Sequence, residues 1–230
     1  MHNKLYYDIY YLVGSVAFLT GERGAGMDKI LTISRQYSSG GREIGKKLAE
    51  EWGIPFFDNE LITRAAKESG FAVEAFESAE SRATSSLLYS IARGMVTSGN
   101  IHTTFNNLSL DDRLYMAQVD VIKKVADEGP CVIVGRCADY ILRKRTDVVS
   151  IFVMADMPFR VERAQRIDGM PSEKIEDNIL KMDKRRYNYY NFHTGEKWGK
   201  AENYSLCLNS SRVGIDSAVE CIKRYVEAVK

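Results

Sequence analysis

Lys29–Trp52, KILTISRQYSSGGREIGKKLAEEW, passes from a short apolar run through a Ser/Gly turn into an amphipathic helix. Ile30, Leu31 and Ile33 lie close together without helical spacing, as expected of a strand buried on both faces. After the turn, Ile44, Leu48 and Trp52 recur at helical spacing with Gly45 and Ala49 beside them, which leaves Lys46, Lys47, Glu50 and Glu51 in water. Ser38, Ser39, Gly40 and Gly41 fill the bend. Two residues without side chains let backbone N–H groups turn inward, and the helix that follows adds its unpaired N–H groups and positive dipole end. An anion is favoured there, phosphate above all, although such turns also serve as plain strand-to-helix connections.

Laid on the phosphate-loop pattern G-x-x-x-x-G-K-[ST], the chain places Gly41 where lysine belongs and Arg42 where Ser/Thr belongs; slipped by one, Arg42 and Glu43 take those places. Arg42 is the candidate for the missing positive charge, since its fork binds phosphate oxygens in pairs. Ser38, Ser39, Gly40, Gly41, Arg42 and Glu43 are therefore the candidate ATP/phosphate-binding residues.

The 230 residues suit one medium domain with an insertion or two small ones, and 45% apolar content supplies a sizeable core. A formal charge of +1 argues against a protein built to coat nucleic acid or an acidic membrane. Cys131, Cys137, Cys207 and Cys221 show no C-x-x-C spacing and read as reduced core residues of a cytoplasmic protein. With three scattered histidines, no side-chain metal site is expected.

Residues 1–26 differ from the rest. Leu5–Leu19 is apolar but contains Asp8 and falls short of the roughly 20 residues a membrane helix needs. It also lacks the clear basic start and cleavage site of a signal peptide. Gly21-Glu22-Arg23-Gly24 is what a purine-rich ribosome-binding site would encode if read through, so the functional domain is expected to begin at Met27.

Beyond the first helix, Gly53 closes it and Pro55–Asp58 reads as a second strand, which sets Asp58 at a strand's carboxyl end. Asp58 either caps the next helix, 59 to about 69, or faces a ligand at that edge of a parallel sheet. Phe71–Leu110, rich in Ser, Thr and Asn, reads as an insertion over the sheet with one helical piece from Leu87 to Met95. Ser109 then caps a long helix with Asp111 and Asp112 in its first turn. Cys131–Val134 is a third strand running into Gly135-Arg136, and Val148–Ala155 a fourth. Pro158 starts a helix carrying Arg160, Arg163 and Arg166. Ser172 opens another that ends basic and aromatic, from Lys181 to Tyr190. Such a block reads as a mobile cover over an anionic ligand, as an RNA-binding face, or as a solvated helix with aromatic core contacts. Ser205–Asn209 is a fifth strand, followed by a helix from about Gly214. Strands alternating with helices predict an α/β fold: a five-stranded parallel sheet, helices on both faces, right-handed crossovers, and ligands at the carboxyl edge.

LTISRQYSSGGREIGKKLAEEWGIPFFDNELI, VIVGRCADYIL, DKRRYNYYNFHTGEKWG and NYSLCLNSSRVGI, in this order, resemble the cytidylate kinase-like family, a divergent branch of the P-loop nucleoside monophosphate kinases. The likeness runs from Met27 to nearly the end. It implies a kinase-like domain over 27–230, with a core of 27–70 and 111–230, a monophosphate-binding insertion over 71–110, and a lid at about 160–203. It also implies ATP and Mg²⁺, with CMP or dCMP as acceptor, in a monomer or homodimer that binds nucleotides rather than nucleic acid or membrane. The family's D-x-G-x-x-Y-R keeps Asp58 and Arg64 here, with Glu60 and Thr63 at the Gly and Tyr places. Its G-R-D becomes Gly135, Arg136 and Cys137, with Asp139 as the substitute carboxylate. Asp58, Arg64, Arg136 and Asp139 are thus the implied monophosphate contacts, and Arg42, Arg163, Arg185 and Arg186 the implied catalytic arginines, with Arg160 and Asp183 beside them. Because the loop lacks its lysine and Ser/Thr, two alternatives stand: a non-catalytic binder of nucleotides or phosphorylated ligands, and a kinase for another small acceptor.

Mass spectrometry of the natively expressed protein checks the expected start at Met27. A product that retains His2 sinks it.

Overall fold

A computed structural model describes residues 27–82 and 109–229. The N-terminal stretch and the helical piece expected at 87–95 lie outside them. The chain runs β1 (Ile30–Arg35), α1 (Gly41–Trp52), β2 (Phe56–Phe57), α2 (Glu60–Ser69), α3 (Val73–Arg82), α4 (Leu110–Glu128), β3 (Val132–Val134), α5 (Ala138–Ile141), β4 (Val148–Met154), α6 (Met157–Arg166), α7 (Ile175–Thr194), β5 (Leu206–Asn209), α8 (Ser210–Val213) and α9 (Ile215–Ala228).

The five strands form one parallel sheet in the order β2-β3-β1-β4-β5. β1 is central, and Ile30 to Ser34, the polar Thr32 and Ser34 included, are buried between the layers on the two faces of the sheet. The chain steps from β1 to one side for β2 and β3, then crosses to the other for β4 and β5. The crevice between the carboxyl ends of β1 and β3 is therefore a topological switch point, where open α/β sheets bind ligands.

Two apolar layers cover the sheet. On one face α2, α3 and α4 bury Leu61, Phe76, Leu114 and Ile122 with Ile30 and Ile133. On the other, α1 and α9 bury Ile44, Leu48, Val219 and Ile222 with Leu31, Val134 and Ile151. The capping signals act as read: Ser109 Oγ accepts from the Asp112 N–H, and Gly53 ends α1 in the left-handed region.

Several readings change. Helix α7 starts at Ile175 rather than Ser172, after Lys174 in a left-handed conformation. Val73–Arg82 is a helix whose Phe76 is wholly buried, although the 71–110 segment gave no such signal there. Not all cysteines are core: Cys131 and Cys137 are buried, whereas Cys207 is half-buried and Cys221 exposed.

Helix α1 sits close to the sheet at Gly45, where an added Cβ would come within 2.9 Å of Ile33 Cδ1 and 3.3 Å of Phe56 and Val134. Gly45→Val should overpack this contact and cost about 1–3 kcal/mol. Urea unfolding reads the loss; an unchanged midpoint would show that α1 can lift away freely.

Candidate functional site

The bend between β1 and α1 is built from both its own conformation and its neighbours. Ser38 and Gly40 adopt positive φ, 57° and 84°. Ser39 is buried, its Oγ within reach of the Gln36 and Val153 carbonyls at 2.9 and 3.1 Å. Ser210 Oγ donates to the Ser39 carbonyl at 2.6 Å, and the Ala155 N–H donates to Gln36 Oε1 at 3.0 Å. The carboxyl ends of β4 and β5 thus hold the turn open at the start of α1, where helix N–H groups and dipole favour an anion.

Position 41 cannot carry the lysine of the ordinary pattern. A Cβ there would lie 2.6 Å from Arg35 Cβ and 3.2 Å from Val153 Cβ. Arg35, the last residue of β1, occupies that space. Its guanidinium also passes beneath Gly135, whose missing Cβ would stand 2.1 Å from Nη1. Arg35, Gly41 and Gly135 are therefore one steric unit. Sequence reasoning overlooked Arg35; the available signal was an arginine at the first glycine of the loop pattern.

Asp58 is 4% exposed at the end of β2. Its carboxylate accepts from Arg42 Nε at 2.6 Å and from Arg35 Nη2 at 3.5 Å. Asn59, not Asp58, holds the N-cap position of α2, so Asp58 serves the arginines rather than the helix. Arg42 keeps a 62% exposed side chain beside this pair.

Behind the bend, α6 supplies two buried arginines. Arg160 donates through Nε to the Tyr37 carbonyl at 2.8 Å and pairs with Asp183, whose other oxygen accepts from the Tyr37 N–H at 2.6 Å. Arg163, 7% exposed, donates through Nη2 to Glu43 at 2.6 Å. Its Nε is buried with no hydrogen-bond partner among the described residues, and lies 3.6 Å from where a Cβ on Gly40 would be.

Helix α7 lies across the switch point. Arg186 donates to the Arg35 carbonyl at 3.0 Å and its guanidinium stacks over Tyr37 at 5.5 Å. Beneath the helix is a cavity of about 310 Å³, lined by four arginines (Arg35, Arg136, Arg185 and Arg186), by Tyr189, Tyr190 and Trp198, and by Ser34 and Asn59. No carboxylate lines it.

The expected site residues fall into three groups. Arg136, Arg185 and Arg186 line the cavity; Asp58 and Arg42 connect to it through Arg35, and Arg163 pairs with Glu43 beside the bend. Asp139 sits behind the wall: it is buried, and its oxygens accept from Tyr190 at 2.7 Å and from Ser34 at 3.3 Å. Burial pushes its carboxyl up to about 6. Arg64 does not join the others. It is tied to Glu68 at 3.0 Å and to Glu128 at the far end of α4, and those carboxylates raise its already high pKa. The D-to-R spacing of the motif is kept, but the helical turn carries Arg64 toward α4.

A sequence model of the cytidylate kinase-like family matches residues 30–212. Cytidylate kinase from Pyrococcus horikoshii is 24% identical over 203 residues, covering 86% of this chain and 88% of that protein. Cytidylate kinase from Ignicoccus hospitalis is 23% identical over 199 residues, covering 86% and 98%. The crystal structure of an uncharacterized protein from Eubacterium ventriosum superposes with a TM-score of 0.65 at 27% identity, over 87% of this chain and 99% of that one. With the matched segment running from the first residue of β1 through α8, over the glycine bend and the arginine-lined cavity, this chain belongs to the cytidylate kinase-like family.

Proposed function

We propose that the protein transfers a phosphoryl group from ATP to a nucleoside monophosphate, CMP or dCMP first, in the cytoplasm. The observation that carries this is the convergence of four arginines on one cavity beside an anion-favouring bend at the switch point of the sheet. A polyphosphate fits the residues present: the bend ends at the amino terminus of α1, and the buried Nε of Arg163, without a hydrogen-bond partner among the described residues, lies close to Gly40. Ser38–Glu43 with Arg163 would hold the donor phosphates, and Arg136, Arg185 and Arg186 the acceptor phosphate. Mg²⁺ in such reactions bridges and neutralises the donor phosphates. No cluster of three metal-ligating side chains exists among the described residues, so phosphate and water oxygens would supply most of its ligands.

Phosphoryl transfer asks the protein for position and for positive charge around the equatorial oxygens. In this reading Arg35 brings the charge that position 41 has given up, because its side chain already fills the lysine's path. Arg42, clamped by Asp58, adds a second charge at the rim. Arg35→Ala should lower kcat by about 100-fold or more, in the range for a charge that touches the transition state. Arg42→Ala should lower it at least about tenfold while moving the melting temperature only a few degrees. The double variant Arg35→Gly with Gly41→Lys should recover part of what Arg35→Ala loses, since it restores the ordinary arrangement. An Arg35→Ala turnover equal to wild type would remove Arg35 from the mechanism.

One observation weighs against donor phosphates seated at the bend. The Tyr37 N–H and Ser38 hydroxyl already face carboxylates, Asp183 at 2.6 Å and Asp168 at 3.3 Å, which an incoming anion would have to tolerate or displace. A coupled assay with ATP, Mg²⁺ and a panel of monophosphates and small hydroxylated acceptors separates the readings. Transfer to CMP or dCMP is expected; transfer only elsewhere reassigns the acceptor, and nucleotide binding without turnover refutes the kinase.

A further inference from the structure

In the ordinary phosphate loop the residue after the lysine is Ser or Thr, whose hydroxyl ligates the Mg²⁺ that accompanies the donor phosphates. With Arg35 at the first glycine of the pattern and Gly40 at the second, that place falls to Arg42, the second residue of α1. A cation stands where the protein's own metal ligand belongs. Mg²⁺ at such sites is usually shared between phosphates and one or two carboxylates. Asp58, the buried carboxylate beside Arg42, is bound to arginine through both oxygens: Oδ2 accepts from Arg42 Nε at 2.6 Å and Oδ1 from Arg35 Nη2 at 3.5 Å. Glu60 Oε2 accepts from the Asp58 N–H at 3.1 Å, and Glu43, next along α1, holds Arg163 at 2.6 Å. Each of these acids is committed to N–H donors of the protein.

The Arg42–Asp58 pair also has the right place. Arg35, its third member, packs against Gly41 at the bend and lines the cavity, so the group lies where the two meet. In the nucleotide reading this is the junction at which donor and acceptor phosphates face each other. A divalent ion there would sit between a carboxylate and a phosphate; the guanidinium of Arg42 already has the carboxylate on one side, and its side chain is 62% exposed at the rim.

We propose that Arg42, positioned by Asp58, stands in for the protein-held divalent cation, so that the bend binds a nucleoside triphosphate through fixed guanidinium groups with little dependence on Mg²⁺. The inference rests on the nucleotide reading above. Any Mg²⁺ then arrives and leaves with the phosphates and water as its ligands. A guanidinium also gives directional paired N–H bonds to phosphate oxygens, and a chelator cannot remove it.

The test is calorimetric titration of the full chain with the non-hydrolysable β,γ-imido analogue of ATP, with excess Mg²⁺ and again with EDTA, which reads affinity without turnover. For the wild type the two dissociation constants should differ by less than about tenfold. Arg42→Ser rebuilds the ordinary metal place beside Asp58; binding in EDTA should weaken about tenfold or more, and Mg²⁺ should restore most of it. Arg42→Lys keeps the charge and should keep the ratio near that of the wild type. A wild-type ratio of about tenfold or more, an Arg42→Ser ratio no larger than the wild type's, or an Arg42→Lys ratio raised as far as that of Arg42→Ser overturns the inference while leaving the nucleotide reading in place. No binding of the analogue to the wild type in either buffer overturns both.

Discussion

The first turn of α1 rests against bare backbone, and this steric fact governs the site. Gly41 has no Cβ, so Arg35 can leave the end of β1 beneath the helix; Gly135 has none either, so the guanidinium can pass the end of β3. A side chain at either glycine would force the helix, the arginine or the strand ends apart. At Gly41 the close approach alone demands glycine, whereas Gly135 and Gly40 also adopt positive φ, 79° and 84°.

Concentrating arginines at one sheet edge carries an electrostatic cost, which the fold offsets with carboxylates placed one step back. Asp58 faces Arg35 and Arg42, Asp183 pairs with Arg160, and Glu43 with Arg163. Of these pairs Arg160–Asp183 is the most buried, and removing one of those two would cost about 3–5 kcal/mol because the other charge is left alone. Arg35, Arg136, Arg185 and Arg186 line the cavity, and no carboxylate is among its lining residues.

Helix α7 converts these strand-end features into an enclosed space. Its Asp183, Arg186 and Tyr190 reach the bend, the end of β1 and α5 in turn, one contact for each region of the sheet edge. The helix is thus held at the sheet edge by polar contacts as well as by its limited apolar face. Its buried apolar contribution is confined to Ile175 and Ile179 near its start and to Tyr189 and Tyr190 near its end.

The sequence by itself determined the alternation of strands and helices, the bend at Ser38–Gly41 and the cap at Ser109, because each is set by local pattern: apolar periodicity, glycine and a side chain within three residues of its partner. It also singled out Asp58, Arg136, Arg163, Arg185 and Arg186, which motif order brings to one edge. The tertiary structure alone decided what those residues touch. Arg64 keeps its motif spacing yet is carried by α2 to Glu128, Asp139 retreats behind Tyr190, and Arg35 emerges as the neighbour of Gly41 and Gly135. These are contacts between residues far apart in the chain, fixed by strand order and helix packing, and no local spacing encodes them.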